Sequence, residues 1–221
     1  MLSRLAGALL PCTGRLSVTV DAGAGFAPGS IIAANHTSLA DPALVLAGLR
    51  ELGIRPTVMA AAGLWKIPVL GRMLSEGGHI PVHRQSRRAA EALDYAAEAL
   101  ADGRLVLIYG EGGLPRRPDA GEAPPEPFRS GLARLAQRTG AAVVPLGQAG
   151  ARRITSGSVP KQLAGLATAP LRRPRLHVHV GTPIRPTGDL AARTAHAHAA
   201  VTAAWRTAAA RVAGAPVTLA A

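Results

Sequence analysis

The sequence predicts an α/β fold, a mixed, largely parallel central sheet covered by helices. Three observations predict it. Short aliphatic, β-branched runs alternate along the chain with segments of helical periodicity. Two of those runs, Leu105-Val106-Leu107-Ile108-Tyr109 and Ala141-Ala142-Val143-Val144-Pro145-Leu146, are apolar without a break, as in strands covered on both faces. Hydrophobic residues make up 48% of the 221 and charged residues 17%, enough for one sizeable core. Aromatics are only 3%, so Ala, Leu, Val and Ile must build that core.

Taken in order, Leu16-Ser17-Val18-Thr19-Val20 alternates and reads as a first strand at an edge of the sheet. Ile31-Ile32-Ala33-Ala34 reads as a buried strand, and Pro42-Ala43-Leu44-Val45-Leu46 opens a helix running to about Arg50, with Asp41 at its N-cap. Thr57-Val58-Met59-Ala60 is the next strand, followed by short helical turns between Gly63 and Ser75. Gly77 to Arg84 reads as a strand ending in a basic residue. Ala89, Ala90, Leu93, Ala96, Ala97 and Leu100 recur every three or four residues, which predicts an amphipathic helix from Ser86, its N-cap, to Asp102 before Gly103. The run from Leu105 to Tyr109 is a strand, Gly110 to Pro127 a long loop of the kind that carries function, and Phe128 to Thr139 a helix before the strand from Ala141. Ala149 to Arg173 shows no clear pattern; Arg175 to Gly181 is a late strand and Asp189 to Val212 an Ala-rich helix.

The expected organisation is one domain over residues 16–213, preceded by a short segment, 1–15, that is a candidate interfacial anchor, and followed by a tail, 214–221. No apolar run is long and uniform enough for a transmembrane helix. The single Cys12 excludes a disulfide framework and a cysteine-ligated metal site. The net charge of +12, almost all arginine, favours acidic partners: phosphate-bearing substrates, an acidic carrier protein or an anionic membrane surface. The pairs Arg87-Arg88, Arg116-Arg117, Arg152-Arg153 and Arg172-Arg173 suit such a surface equally as a solvated basic face. Nucleic acid is not expected, for there is no aromatic stacking platform and no base-reading motif.

Three strand ends carry polar residues. Asn35-His36-Thr37-Ser38-Leu39-Ala40-Asp41 delivers a histidine to the end of one strand and a carboxylate to the head of the next helix. Folded together, Asp41 would accept from one ring nitrogen of His36 and leave the other to take a proton, the arrangement of a general base. Arg84 ends a second strand and offers a bidentate anchor for phosphate. Glu111, between Gly110 and Gly112, ends a third and could accept from substrate hydroxyls. In α/β folds the loops leaving strand ends converge on ligand sites. Singly, each residue reads as readily as a loop cap or a surface charge.

In combination and in this order, these stretches resemble the glycerolipid acyltransferases typified by 1-acylglycerol-3-phosphate acyltransferase. The resemblance runs from about Val18 to Pro183. Asn35 to Asp41 is similar to that family's His-x4-Asp motif, with its usual Asn and Ser. Ile67-Pro68-Val69-Leu70-Gly71 and Gly78 to Arg84 are similar to its second block, whose terminal Arg binds substrate phosphate. Tyr109-Gly110-Glu111-Gly112 is similar to the third block, and Phe128-Arg129-Ser130-Gly131 to the Phe-Lys-x-Gly element after it; Val143 to Leu146 is similar to the fourth. Gly113-Leu114 replaces the family's Thr-Arg, Gly110 its Pro, and Ala61 and Gly63 stand where a phosphate-binding Lys and a Glu are usual. The resemblance implies an acyltransferase fold, His36 and Asp41 as catalytic base and its orienter, and Arg84, Glu111, Gly112, Asn35 and Ser38 as substrate-binding residues. It implies acyl-CoA or acyl carrier protein as donor, a lysophospholipid as acceptor, no separate cofactor, and a peripheral place on the cytoplasmic face of the membrane.

Two other readings compete. Replacement of the basic ligands motivates a non-catalytic lipid- or acyl-binding module, or transfer to an acceptor without phosphate. His177-Val178-His179 puts two imidazoles on one strand face, as in a metal-dependent hydrolase, though no third ligand stands near in the sequence.

Overall fold

The structure, a computed structural model, describes residues 2–83, 89–114 and 121–214. Seven strands form one sheet: β1 (Arg15–Val20), β2 (Ile31–Ala34), β3 (Thr57–Ala61), β4 (Ile80–Val82), β5 (Val106–Tyr109), β6 (Val143–Ala149) and β7 (Arg175–Val180), in the spatial order β1-β7-β6-β2-β5-β3-β4. Every pair is parallel except β6 with β7, so the sheet is mixed and largely parallel. The helices are α1 (Leu2–Thr13), α2 (Asp41–Glu51), α3 (Pro68–Glu76), α4 (Ala89–Ala101), α5 (Gly131–Thr139), α6 (Val159–Arg172) and α7 (Leu190–Ala213).

The two faces of the sheet follow from the period of two along each strand. From β2, Ile32 and Ala34 point into a cluster with Leu44, Val45 and Leu49 of α2 and Leu176 and Val178 of β7, with Ala6 and Leu10 of α1. Ile31 and Ala33 point the other way, against Ala92 and Ala96 of α4, Leu132 and Leu135 of α5 and Val201 of α7. With so few aromatics the layers lie close. A Cβ at Gly147 would come within 2.1 Å of the Ala204 backbone, so glycine there is what lets α7 seat on β6.

The structure moves several expected boundaries. Asp41 is the first residue of α2 rather than its cap; Ala40 is the cap, without a side-chain hydrogen bond, because the Asp41 carboxylate is turned back onto the preceding loop. The helix expected from Phe128 begins at Gly131, since the Arg129 N–H is bonded to Gly110 O at 2.9 Å and ties 128–130 to the loop after β5. The unpatterned stretch after Ala149 holds α6. Its sequence hid it because Pro160 and Pro170 lie within it and Ala169 is its one buried residue, so no apolar stripe faces the core. The segment before β1 forms α1, which packs on α2 and α6. The expected N-cap Ser86 lies outside the described residues.

Candidate active site

β2, the strand at the centre of the sheet, ends at Ala34, and the chain leaves it through Asn35 and His36 into the loop that starts α2. Two buried braces shape that loop. Asn35, fully buried, donates from Nδ2 to Gln148 O at 3.1 Å and accepts from the Gln148 N–H at 2.8 Å, so its amide replaces a rung between β2 and β6. Ser38 Oγ lies 2.8 Å from Thr155 O and 2.5 Å from Thr155 Oγ1. Both are expected from the resemblance to touch substrate; in the structure both side chains are bonded into the protein and brace the loop.

Within the loop, Asp41 Oδ2 accepts from His36 Nδ1 at 3.0 Å, from the Ser38 N–H at 2.8 Å and from the Thr37 N–H. Asp41 is wholly buried, while the imidazole of His36 keeps 12% of its surface. Three donors converge on one carboxylate oxygen, which fixes both the carboxylate and the ring it orients. With Nδ1 carrying the donated hydrogen, Nε2 is the basic nitrogen, and no partner occupies it among the described residues. The ring stacks on Tyr109, the last residue of β5, with centroids 4.4 Å apart. Tyr109 stands beside Ala34 in the β2–β5 register, which is why its ring meets the residue two places beyond Ala34.

Glu111 follows in the tight turn after β5. Its Oε1 accepts from the His36 backbone N–H at 3.0 Å, and its Oε2 is buried without a partner among the described residues. Burial lifts its carboxyl to about 8, against the lowering effect of the His36 N–H and with help from the charges of Asp41 and Glu126. The phenol of Tyr109 is likewise pushed well above its ordinary value by burial, then by the charges of Asp41 and Glu111. At neutral pH both groups are therefore held as neutral hydrogen-bond donors beside His36. Gly112 has φ +67°, and a Cβ there would lie 2.7 Å from Arg129 Cδ, so the Glu-Gly turn admits the arginine side chain over it.

Sequence reasoning missed two residues that shape this end of the sheet, Arg152 and Tyr109. Arg152, read as half of a surface pair, is only 3% exposed; its Nη1 donates to Thr37 O at 2.9 Å and its Nε to Gly121 O at 2.7 Å. It joins the histidine loop to the long loop after β5, and nearby Glu122 accepts from the Gly150 N–H at 2.8 Å. The signal available in the sequence was weak, an Arg directly after the Gly150-Ala151 turn that ends β6. Tyr109 was also passed over as a site residue, although it sits beside Glu111. Arg84, Arg87, Arg88, Arg116 and Arg117 lie outside the described residues. Ala61, Gly113 and Leu114 bring no charge to this end of the sheet.

Both rings of the β7 histidines are bonded to side chains of β1 and the turn after it, and among the described residues no group of three potential metal ligands gathers. The catalytic chemistry available is that of an oriented imidazole with a free nitrogen at a strand end.

Comparison with known proteins gives the family context. Residues 19–148 match the family model described as Acyltransferase. No curated protein sequence matches the chain. Among solved structures, the fold is similar to that of the 1-acyl-sn-glycerophosphate (LPA) acyltransferase PlsC from Thermotoga maritima, with a TM-score of 0.68 and 18% identity, covering 93% of this chain and 77% of that one.

Proposed function

The chain belongs to the acyltransferase family, and from that premise we propose that it moves a fatty acyl group from an acyl thioester, acyl-CoA or acyl carrier protein, to a hydroxyl of a lysophospholipid-type acceptor such as 1-acylglycerol-3-phosphate. The observation that carries the reading is the 3.0 Å bond from His36 Nδ1 to buried Asp41, which leaves Nε2 open.

In this mechanism His36 Nε2 removes the proton of the acceptor hydroxyl as its oxygen attacks the thioester carbonyl. The carbonyl electrons pass to oxygen in a tetrahedral intermediate; as it collapses the carbon–sulfur bond breaks, and the imidazolium returns its proton to the departing thiolate. Asp41 keeps the ring in the correct tautomer and offsets the imidazolium charge. The acceptor oxygen is the nucleophile, so no serine or cysteine of the protein enters the reaction. Replacing His36 with Ala, in protein whose melting curve is unchanged, should lower transfer of labelled acyl groups by about 10²- to 10⁴-fold. Undiminished turnover would end the reading, and binding of acyl-CoA without turnover by the native protein would favour a non-catalytic acyl-binding module. Since Ala61, Gly113 and Leu114 carry no charge, the acceptor panel should include uncharged monoacylglycerol beside the phosphate-bearing lysolipid.

A peripheral position on an anionic membrane belongs to the same proposal. Among the described residues no helix is long and apolar enough to cross a bilayer. What supports contact with one is α6, which exposes Val159, Leu163, Leu166 and Pro170 along one flank, carries Lys161 and Arg172 on another, and contains no acid. It packs beside α1, which is also free of acids and exposes Leu5 and Leu9. Apolar and basic flanks on one largely exposed helix suit an interface between acyl chains and anionic headgroups.

A further inference from the structure

A groove at the edge of the sheet has no part in the chemistry above. β1 and β7 run parallel with Arg15 beside Arg175, Ser17 beside His177 and Thr19 beside His179. Alternate residues share a face, so these six side chains line one side of the strand pair, while Leu16, Val18, Leu176 and Val178 turn into the core. The end of α7 overhangs the first side. There a cavity of about 280 Å³ opens between Arg15, Ser17, Arg175, His177 and Arg211, and no Asp or Glu lines it. Three arginines and no carboxylate line one small space, a composition that favours an anion, with Arg15 Nε steadied by Arg173 O at 3.3 Å.

From Ser17 and His177, which line the cavity, a continuous hydrogen-bond ladder runs along the strand pair. Ser17 Oγ lies 2.7 Å from His177 Nδ1, His177 Nε2 lies 2.9 Å from Thr19 Oγ1, Thr19 Oγ1 lies 2.8 Å from His179 Nδ1, and His179 Nε2 lies 3.2 Å from Asp21 Oδ1. The carboxylate only accepts, so His179 donates to it from Nε2 and accepts at Nδ1 from the Thr19 hydroxyl. Thr19 then accepts from His177 Nε2, and His177 Nδ1 accepts from Ser17. With both rings neutral the protons have this one arrangement, and the Ser17 hydroxyl points inward. One proton added at His177 Nδ1 reverses a single rung: the ring donates to Ser17, and the Ser17 hydrogen is released from the ring to Leu176 O, 3.3 Å away, or to an anion in the cavity.

We propose that this groove binds a phosphate group, gripped by Arg15, Arg175 and Arg211 and capped by the Ser17 hydroxyl, with one proton taken up at His177 as the anion enters. In the protein alone burial, then the charges of His179 and Arg211, hold His177 down at about 4. An anion offsets the cationic part of that environment. The groups facing His177 are Arg15, Ser17 and Thr19 from β1, Arg175 and His179 from β7 and Arg211 from α7, with Asp21 beyond His179; β6 contributes Gly147 and Ala149 opposite the two rings, neither charged. The groove lies toward the sheet end that carries His36, for Ala149, opposite His177, follows Gln148, which is bonded to Asn35. It shares no side chain with the proposed acyl-transfer site, so its ligand is tested without turnover.

Calorimetric titration of the full chain with sulfate, whose charge is constant across the range, should give saturable binding that tightens about tenfold from pH 7.5 to pH 5.5, toward the limit of tenfold per pH unit for one linked proton. Arg211→Gln, an exposed substitution, should weaken it about tenfold or more, and His177→Gln, checked for an unchanged melting curve, should abolish the pH dependence. Absence of saturable binding, binding indifferent to Arg211→Gln, or a pH dependence that persists in His177→Gln would each overturn the assignment. Titrations with inorganic phosphate, glycerol 3-phosphate and coenzyme A then identify the source: equal affinity for the first two assigns free phosphate, a gain for the second a lipid headgroup, a gain for the third a nucleotide.

Discussion

Glu111 is where the local physical chemistry of the site departs furthest from what a residue type alone suggests. A glutamate in a Gly-rich turn reads as a solvated acid or a substrate ligand, yet it is 7% exposed and anchors the backbone of the histidine loop. Its carboxyl is raised from 4.5 to about 8. The unfolded chain therefore loses this proton first, and stability should fall as pH rises from about 4.5 through about 8, then level off. Glu111→Gln keeps an acceptor for the His36 N–H and cannot ionise. Its melting temperature should exceed that of the native chain by a margin that widens across that pH range; a constant difference would show that the side chain is not held neutral. Glu111→Ala removes the acceptor and should lower kcat more than Gln does. Asp41→Asn is the complementary test. An amide can still accept from the loop N–H groups while losing the charge that fixes the ring tautomer, so kcat should drop about 10²- to 10⁴-fold with little change in KM. The Asp41 bond to His36 and its direction were legible in the sequence, but the Glu111 outcome was not, because burial and the bond to the His36 N–H exist only once β2, β5 and α2 are packed together.

At the level of elements, legibility followed periodicity. β2 and β5 are unbroken apolar runs at the middle of the sheet, and each is where the sequence puts it, within a residue; β6 starts two residues later than expected and runs on through Gly147 and Gln148 to Ala149, past the end of its apolar run. α6 escaped because a helix that buries only Ala169 leaves no stripe to read, and Arg152 escaped because a buried arginine and a surface arginine look alike in a basic sequence. Arg152 links two elements that chemistry must keep in register, the loop leaving β2 and the loop leaving β5. Removing it with Ala takes this donor from the buried carbonyl of Thr37, and an unsatisfied buried carbonyl costs about 1–3 kcal/mol. The variant should melt earlier and lose kcat, since the loop that carries His36 is loosened. Arg152→Lys restores charge but not the fork that spans both carbonyls, so it should recover stability only in part. Full recovery by Lys would mean that the charge, rather than the two-point brace, is what the site uses.

Across the whole molecule, the charge of +12 and the exposed leucines of α6 belong to one question, which side of the protein meets its lipid. Leu39, exposed within the histidine loop, lies next to Ser38, and Ser38 and Ala40 are bonded to Thr155, four residues before α6 begins. The histidine loop is thus braced against the segment that leads into α6, which ties the proposed membrane-facing flank to the proposed acyl-transfer site. Burying a leucine in acyl chains is worth about 1.5–3 kcal/mol when complete, and each basic residue near an anionic surface about 1 kcal/mol. Replacing both Leu163 and Leu166 with Glu removes apolar area and adds like charge to the headgroups, while touching no core side chain. The double variant should cosediment with phosphatidylglycerol vesicles at least about tenfold less than the native chain, and its turnover of vesicle-borne substrate should fall in proportion. Turnover of a short-chain, water-soluble lysolipid should be unchanged, because His36, Asp41 and their braces are intact. Unaltered vesicle binding would place the membrane-facing surface elsewhere, and equal losses on both substrates would show that α6 supports the site itself rather than the approach to it.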